Sequence, residues 1–218
     1  MSDNATAHAA RDYEAEVART IPFHDELLRT AVEVVTSSLS PKRWLDTGCG
    51  PGKLATQVQG VEMWLADPSP AMLSIARERN PSIPADHFIS STSQDLADLA
   101  PFDAITAIQS HHYGDVSARE KAVTRCRELL APGGVLVVFE NVLSETSKGQ
   151  SLQRKRWAAW QRRAGRDEAA IAKQLEREGK AFFPIRVSEH MQLFARLGLE
   201  AELVWRAYGQ AGFVCYRQ

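Results

Sequence analysis

The stretch WLDTGCGPG, residues 44–52, places three glycines at alternate positions directly after a short apolar run. This pattern predicts a strand that turns sharply into a helix, because glycine adopts positive φ and lets a ligand approach the backbone closely. The free N–H groups of the helix expected from Lys53 would point into the same space. The sequence therefore predicts a ligand site against bare backbone at the end of the first strand.

An acidic residue follows these glycines at the end of the next apolar run. Asp67 comes directly after residues 61–66, and a carboxylate in this place accepts hydrogen bonds from both hydroxyls of a ribose. The oxidoreductase fingerprint GxGxxG is not satisfied, since Lys53 stands where its third glycine, counted from Gly48, would be. The pattern thus favours a ligand that contains a ribose, and it argues against a dinucleotide.

Length and composition limit the possible classes of protein. The 218 residues are 44% hydrophobic, which is enough for one sizeable core and too little for two ordinary domains. A net charge of -1 gives no overall attraction to nucleic acid or to anionic membranes. No run approaches the ~18 apolar residues of a membrane span, and residues 1–10 lack the apolar segment of a signal peptide. The three cysteines are far apart, as expected of reduced thiols and not of a zinc site. We expect a cytoplasmic protein with no metal and no membrane partner.

Predicted strands and helices alternate from residue 43 onward. Helices are predicted at 12–18, 25–39, from 53, 70–79, 118–130 and 188–197, and strands at 43–45, 61–66, 87–90, 104–108, 135–140, 200–206 and 212–216. Such alternation predicts a parallel sheet with helices on both faces. The last two strands flank Gly209 closely enough to form a hairpin, so the final strand should be antiparallel. The expected fold is α/β, a doubly wound seven-stranded mixed sheet in a single domain over residues 1–218.

Two helical segments fall outside this alternation: residues 1–40, predicted to form N-terminal lid helices, and residues 144–183, a helical insertion or cap. The insertion is basic, with no acidic residue between Thr146 and Gly165, and Trp157 and Trp160 share one helical face. In one interpretation the tryptophans roof an acceptor pocket and the arginines recruit a carboxylate, a phosphate or RNA. In the other they pack on the domain and the charges face water.

Several motifs resemble those of the class I S-adenosylmethionine (SAM)-dependent methyltransferases. Asp46 and the three glycines fill motif I, DxGxGxG. Residues 64–73 resemble the segment that carries the ribose acid, and residues 129–141 resemble the LLxPGG turn with the fifth strand. The resemblance extends from about residue 25 to the C-terminus, and it implies SAM as cofactor and methyl transfer as the reaction.

The resemblance also implies which residues contact the cofactor. Residues 19–24 resemble the RSVPGY entry segment of the carboxy-SAM synthases and their relatives, which implies that this segment covers the cofactor. Residues 88–96 resemble the segment beside the adenine, with Thr92 where relatives often have aspartate; Asp95 is an alternative to Thr92 and Gln94 for this contact. The cofactor-binding residues predicted in this way are Asp46, Gly48, Cys49, Gly50, Gly52, Asp67, Pro68, Met72, Thr92, Ser93, Gln94, Gln109, Tyr13, Arg19 and His24.

Methyl transfer is an in-line displacement in which positioning supplies most of the acceleration. A general base helps when the acceptor is a hydroxyl or a protonated amine, and residues 109–113 (QSHHY) follow the fourth strand, where ligands bind in this fold. His111 and His112 are therefore the candidate catalytic residues. Alternatively the pair resembles the LHH sequence of many relatives, where it serves packing and loop structure.

Three functions remain open from the sequence. The leading one is a SAM-dependent methyltransferase that acts on oxygen or nitrogen of a small molecule. The first alternative is an enzyme that modifies tRNA or another nucleic acid, a partner that the overall charge does not favour. The second is a SAM-binding protein without turnover. The acceptor and the oligomeric state do not follow from the sequence.

Overall fold

The computed structural model describes residues 13–217. The predicted helix start at residue 12, and the part of the predicted lid before it, lie outside these residues. The strands are β1 Arg43–Thr47, β2 Glu62–Ala66, β3 Phe88–Ile89, β4 Phe102–Ile108, β5 Leu130–Leu143, β6 Ile185–Arg186, β7 Leu199–Ala207 and β8 Gln210–Arg217. The helices are α1 Tyr13–Thr20, α2 His24–Ser38, α3 Pro70–Arg79, α4 Val116–Leu129, α5 Ser147–Arg163, α6 Glu168–Leu175 and α7 Val187–Arg196.

Within the described residues, seven strands form one mixed sheet in the order β3-β2-β1-β4-β5-β8-β7. The strands β1 to β5 are parallel to one another, whereas β8 is antiparallel to both β5 and β7. The predicted doubly wound sheet with an antiparallel last strand is therefore confirmed. The two-residue strand β6, which pairs with the end of β5, was not predicted because it is too short to show a pattern.

The two faces of the sheet carry separate cores, because successive strand residues point to opposite sides. Trp44 of β1 and Val137 of β5 pack with α2 and α3 on one face. Leu45 and Leu136 pack with α4 and α7 on the other face. Each fully buried side chain of this size contributes about 1.5–3 kcal/mol, and this burial holds the strand ends in register.

The helix predicted from Lys53 is wrong. The chain forms only a 3₁₀ turn at Ala55–Gln57 before Val58 becomes extended. Gly52 and Gly60 both have positive φ, 69° and 70°, so the segment between them is too short for a stable helix. A ligand at this loop would therefore meet N–H groups of the glycine loop itself and not those of a helix terminus.

The strand order reverses between β1 and β4, so their carboxyl ends border a crevice. The glycine loop leaves β1, Asp67 follows β2, and residues 109–113 follow β4. A hydrogen bond of 2.6 Å from the Gln109 N–H to the Phe139 carbonyl fixes this last segment to β5. The residues singled out from the sequence thus meet at one edge of the sheet.

Helices α5 and α6 lie within the predicted insertion, and α5 contacts α1. The Arg19 guanidinium donates to the carbonyls of Ala164 (3.2 Å) and Gly165 (2.8 Å). The Trp157 indole donates to the Thr20 carbonyl at 2.7 Å. The two segments predicted as lid and cap are therefore joined to each other. None of the helices in residues 13–217 is long and apolar enough to cross a membrane.

Candidate functional site

In the glycine loop, residues 48–52, one glycine allows close packing and another leaves its backbone open to a ligand. Gly48 has a φ of 68°, and a Cβ there would lie 2.3 Å from the Cβ of Ser110. Gly50 has a φ of 53°, and a Cβ there would meet nothing within 4 Å. Gly48 thus allows the loops after β1 and β4 to touch, whereas Gly50 leaves backbone accessible to a ligand.

Asp67 closes the glycine loop and remains able to bind a ligand. Its Oδ2 accepts the Gly50 N–H and its Oδ1 accepts the Ser69 N–H, both at 2.9 Å. Burial raises the pKa of this carboxyl, and the two backbone donors oppose that rise. Because each carboxylate oxygen accepts more than one hydrogen bond, Asp67 keeps acceptor capacity for two hydroxyls.

Asp46 lies deeper, at the end of β1. The Trp44 indole donates to the Thr106 hydroxyl at 3.0 Å, and that hydroxyl donates to Asp46 Oδ1 at 2.8 Å. Burial raises the pKa of Asp46 to about 7. Near neutrality this carboxyl is thus balanced between its two forms, and a cationic group beside it would favour the ionised one.

A cleft of about 300 Å³, here called the main cleft, lies over the ends of β1, β2 and β4. A side pocket of about 40 Å³ adjoins it. The predicted residues that line the main cleft are Tyr13, Gly48, Gly50, Asp67, Pro68, Met72, Thr92, Ser93, Gln94, Gln109 and His111. Asp46, Cys49 and His24 line the side pocket. Burial and the nearby Lys53 lower the pKa of His24 to about 4.

Three predicted residues line neither space. A Cβ at Gly52 would lie too close to Ala76 of α3 and to Asn80, which follows α3, so this glycine serves packing. Arg19 binds carbonyls of the α5–α6 connection. His112 lines a third space of about 30 Å³, here called the inner cavity.

The inner cavity lies beside the main cleft. Both spaces are lined by Tyr13, Gln109 and Tyr113, and they meet at these residues. The remaining wall of the inner cavity consists of Val17, Thr20, Ile21, His112, Asn141, Trp157, Gln174, Arg177 and Phe182. Most of these were missed from the sequence because they come from α1, the residue after α1 and the insertion, and no motif marks them.

Gln109 combines a strained backbone with an unsatisfied side chain. Its φ is 54°, in the left-handed region that non-glycine residues seldom adopt. Both polar atoms of its amide are buried without a hydrogen-bond partner, which is rare in native proteins away from ligand sites. Since Gln109 borders all three spaces, its amide is available to a bound molecule.

The two histidines lie in different hydrogen-bond environments. His112 Nδ1 donates to Glu140 Oε2 at 3.1 Å, and its Nε2 accepts from the Asn141 amide at 3.0 Å. Nε2 of His111 lies 3.0 Å from the Ser93 hydroxyl, whereas its Nδ1 is buried without a partner. Burial lowers the pKa of His111 to about 4. Neither ring therefore presents a free nitrogen to the inner cavity.

Glu140 holds both histidines in place through hydrogen bonds. Its Oε1 accepts the backbone N–H of His111 at 3.0 Å, while Oε2 holds the His112 ring. Burial opposes its ionisation, yet His112, His111 and Arg119 together keep its pKa at about 2. Arg119 is 1% exposed and was missed from the sequence, since it stands on α4 without a motif.

The basic insertion forms internal pairs. Arg154 pairs with Glu178 and Arg162 with Glu168, each at 2.5 Å. Arg156 lies over the Tyr208 ring at 4.7 Å. Trp160 packs against Phe23 and Tyr208, with ring centroids 5.1 and 5.7 Å apart. The packing interpretation therefore holds for Trp160, while Trp157 lines the inner cavity.

Cysteine and metal chemistry add no site among the described residues. All three cysteines are buried free thiols. In residues 13–217, no group of histidine, cysteine, aspartate or glutamate is arranged to hold a metal ion.

Comparisons with known proteins agree with this geometry. A family model described as a methyltransferase domain matches residues 45–134. A carboxy-S-adenosyl-L-methionine synthase from Nautilia profundicola is 23% identical over 206 residues, covering 91% of this chain and 88% of that protein. A trans-aconitate 2-methyltransferase from Paracidovorax citrulli is 34% identical over 137 residues, which span 59% of this chain and 46% of that protein.

A solved structure extends the likeness to the whole fold. A SAM-bound amino pentose methyltransferase from Micromonospora echinaspora has a TM-score of 0.65 at 20% identity, covering 98% of this chain and 99% of that one. The cleft fits SAM, since the open face of Gly50, the orphaned Gln109 amide and the buried Asp67 line it, and the buried Asp46 lines the adjoining side pocket. Residues 45–134 match a methyltransferase domain, the chain as a whole has the fold of the SAM-dependent methyltransferases, and the protein is an enzyme that uses SAM.

Proposed function

We propose that this enzyme transfers the methyl group of SAM to an oxygen or nitrogen atom of a small molecule held where the main cleft borders the inner cavity. One observation carries the proposal. The main cleft and the inner cavity share Tyr13, Gln109 and Tyr113, so two ligands would meet at these residues. Methyl transfer needs this arrangement, because the acceptor atom must approach the methyl in line with the departing sulfur.

Each part of SAM has a complementary group in this proposal. Asp67 accepts the ribose hydroxyls, and Asp46 faces the amino group from the side pocket. Pro68, Met72 and residues 92–94 surround the adenine, and the Gln109 amide contacts the end nearest the acceptor. When bound, SAM supplies an activated methyl group on a positively charged sulfur. The protein residues position the acceptor and exclude water.

We further propose that α1 together with the 144–183 insertion forms the cover of both spaces. Tyr13 of α1 borders the main cleft, the side pocket and the inner cavity. The insertion contributes Trp157, and α5 is bonded to α1 through the Thr20 carbonyl. Entry of a ligand then requires these two segments to separate from the sheet edge.

A nucleic-acid acceptor is less well supported. The arginines that suggested it pair with Glu178, Glu168 and the Tyr208 ring, which leaves less charge for a phosphate backbone. The trans-aconitate methyltransferase acts on a small acid by its name, and this supports a small acceptor here.

The test is calorimetric titration of SAM and of its demethylated product, S-adenosylhomocysteine. We expect micromolar binding to the unmodified protein and at least ~10-fold weaker binding to Asp67→Ala, since hydrogen bonds to a charged group contribute about 1.5–3 kcal/mol. Asp86→Ala, which removes an exposed acid that lines neither the main cleft nor the side pocket, is the matched control. Absence of binding to the unmodified protein would contradict the proposal. Binding without methyl transfer to any acceptor would favour a SAM-binding protein without turnover.

A further inference from the structure

Two residues stand where the three spaces of the site meet. Within the described part of the chain, Tyr13 and Gln109 line the main cleft, the side pocket and the inner cavity. Under the proposed function the main cleft takes the adenosine, the side pocket takes the amino acid end, and the acceptor lies where the main cleft borders the inner cavity. In SAM the adenosyl group, the amino acid chain and the transferred methyl group all branch from the sulfur atom. A residue that borders all three spaces is therefore placed to face the sulfonium.

The backbone of Gln109 is fixed, but its side chain is not. The Gln109 N–H donates to the Phe139 carbonyl at 2.6 Å, and a φ of 54° turns the chain from β4 into the loop that follows. The residue is 7% exposed, and neither polar atom of its amide has a hydrogen-bond partner within the described residues. A buried amide without partners costs free energy. A ligand that binds this amide removes that cost, and the ligand also decides which of the two polar atoms it meets.

The positive charge of the cofactor selects the oxygen of this amide. A sulfonium has no N–H or O–H group to donate, so it is stabilised by the negative end of a dipole and by C–H···O contacts. Within residues 13–217 the carboxylates that line the three spaces are Glu14 and Asp46 in the side pocket and Asp67 in the main cleft, and none of them lines the inner cavity. Tyr13 keeps its proton, because burial raises its pKa. Gln109 is thus the junction residue that offers a carbonyl oxygen.

Building on the methyl transfer proposed above, we propose that the side-chain oxygen of Gln109 contacts the sulfonium of SAM and makes the site prefer the charged cofactor to its neutral product. Oε1 takes the side of the sulfonium, and Nε2 is left to donate to another atom of the bound molecules. S-adenosylhomocysteine carries a neutral thioether in place of the sulfonium, so it lacks the charge that attracts Oε1. Gln109 therefore lowers the dissociation constant of SAM more than that of S-adenosylhomocysteine.

The experiment measures by calorimetry the ratio of two dissociation constants, that of S-adenosylhomocysteine divided by that of SAM. Gln109→Leu removes both polar atoms and keeps an apolar side chain, so this ratio should fall about two- to fivefold, the contribution of one C–H···O contact. Gln109→Glu places a negative charge at the same position, and the ratio should rise at least about fivefold. The opposite directions separate an electrostatic role from a packing role, because a disturbance of packing has no reason to change sign with the charge of the side chain.

Gln94→Leu makes the same change of side chain away from the junction. Gln94 lines the main cleft but neither the side pocket nor the inner cavity, so this substitution should change the affinity for both ligands equally and leave their ratio unchanged. A ratio that Gln109→Leu leaves unchanged, or that Gln109→Glu lowers, would overturn the inference. Failure of the unmodified protein to bind S-adenosylhomocysteine would instead contradict the proposed function.

Urea denaturation of the ligand-free protein gives a second readout. Gln109→Leu removes a buried amide without partners and keeps the same backbone conformation, so the urea midpoint should stay the same or rise while the preference for SAM falls. A lower midpoint would show that the amide stabilises the fold itself, and it would overturn the assignment of this side chain to the sulfonium.

Discussion

Asp46 and Asp67 are held by different kinds of partner, and this difference sets how each responds to pH. Asp67 accepts two backbone N–H groups, which are fixed donors of the loop. Asp46 is 2% exposed and accepts the Thr106 hydroxyl. A buried carboxyl without a cation nearby favours its neutral form. Asp46 is therefore the residue whose charge should change when the cofactor arrives.

Affinity for S-adenosylhomocysteine should rise with pH between 5.5 and 7.5. The pKa of Asp46 is raised to about 7 by burial, and only its ionised form pairs with an ammonium group. Below that pKa the dissociation constant should fall up to about tenfold for each unit by which the pH rises. Calorimetry at pH 5.5, 6.5 and 7.5 checks this, with Asp46→Asn expected to be nearly independent of pH. Affinity that falls with pH would contradict the assignment.

The same pKa gives a prediction for the stability of the ligand-free protein. A carboxyl whose pKa is higher in the folded state stabilises that state fully at pH below about 4, its unfolded value, and the contribution is lost as pH rises through about 7. In urea unfolding, the free energy of unfolding should fall more between pH 5 and pH 8 for the unmodified protein than for Asp46→Asn. An equal decrease in both proteins would show that Asp46 is not the group that titrates.

Gly48→Ala and Gly50→Ala should separate packing from ligand binding. Both positions have positive φ, which costs an alanine about 1–2 kcal/mol. Gly48→Ala adds a clash with Ser110, so its total loss in the free energy of unfolding should be about 2–5 kcal/mol. In Gly50→Ala the added methyl group meets open space, so the free energy of unfolding should fall only by the ~1–2 kcal/mol that the positive φ costs. This variant should nevertheless bind SAM more weakly. Urea denaturation and calorimetry test this, and equal losses of stability would contradict the distinction.

Residues of the site were predictable where local sequence holds them. The glycines and Asp67 lie beside strand ends, so the pattern of apolar runs already placed them near one another. Arg177 and Phe182 reach the inner cavity only because the insertion folds back over β5 and the loop after β4. No spacing along the chain encodes that approach, and their place could not be predicted.

At the scale of elements, the contact between α1 and α5 depends on a few directed hydrogen bonds. The indole N–H of Trp157 donates to the Thr20 carbonyl, and Arg19 reaches across to the α5–α6 connection. The acceptor carbonyls lie at helix ends, that of Thr20 at the end of α1 and that of Ala164 just after α5, where backbone carbonyls lack partners within the helix. The strength of the proposed cover therefore depends on individual donors.

Trp157→Phe should loosen α1 without unfolding the protein. It keeps an aromatic ring and removes one donor, a loss of about 1 kcal/mol. Amide hydrogen exchange in residues 13–20 should become about fivefold faster, and S-adenosylhomocysteine should dissociate faster. Trp160→Phe is the matched control, because the Trp160 N–H has no partner. Equal effects of both substitutions would show that ring packing, and not the donor, holds α1.

Element types were predicted best where the segments were long and regular. The helices α2, α3, α4 and α7 match their predicted segments closely, and the side chains of Ser69 and Asp115 cap the starts of α3 and α4. The helix expected after the glycine loop failed because two glycines with positive φ, Gly52 and Gly60, enclose too few residues. The prediction followed a motif and gave too little weight to the length available.

At the scale of the whole molecule, the charges balance and pair internally. The chain has 26 basic and 27 acidic residues, and arginines of the basic insertion pair with Glu178 and Glu168. The doubly wound seven-stranded sheet was predictable because alternating strands and helices allow few topologies. The internal pairing of the insertion was not, since its acidic partners lie beyond the basic run in the sequence.

Binding to tRNA should be weak and show little dependence on salt. With its charges paired, the protein should bind with a dissociation constant no tighter than about 0.1 mM at physiological salt, as in the weakest non-specific interactions. Fluorescence anisotropy with labelled tRNA between 50 and 200 mM salt measures this. Micromolar binding that weakens by orders of magnitude over this range would instead support a nucleic-acid acceptor.

The position of Tyr13 has a kinetic consequence. Because Tyr13 borders the main cleft, the side pocket and the inner cavity, one displacement of α1 serves both the arrival of substrates and the departure of products. Under the proposed function we expect a rapid first turnover followed by a slower steady state limited by product release. S-adenosylhomocysteine should then accumulate on the enzyme, making it sensitive to product inhibition and to any partner enzyme that removes this product.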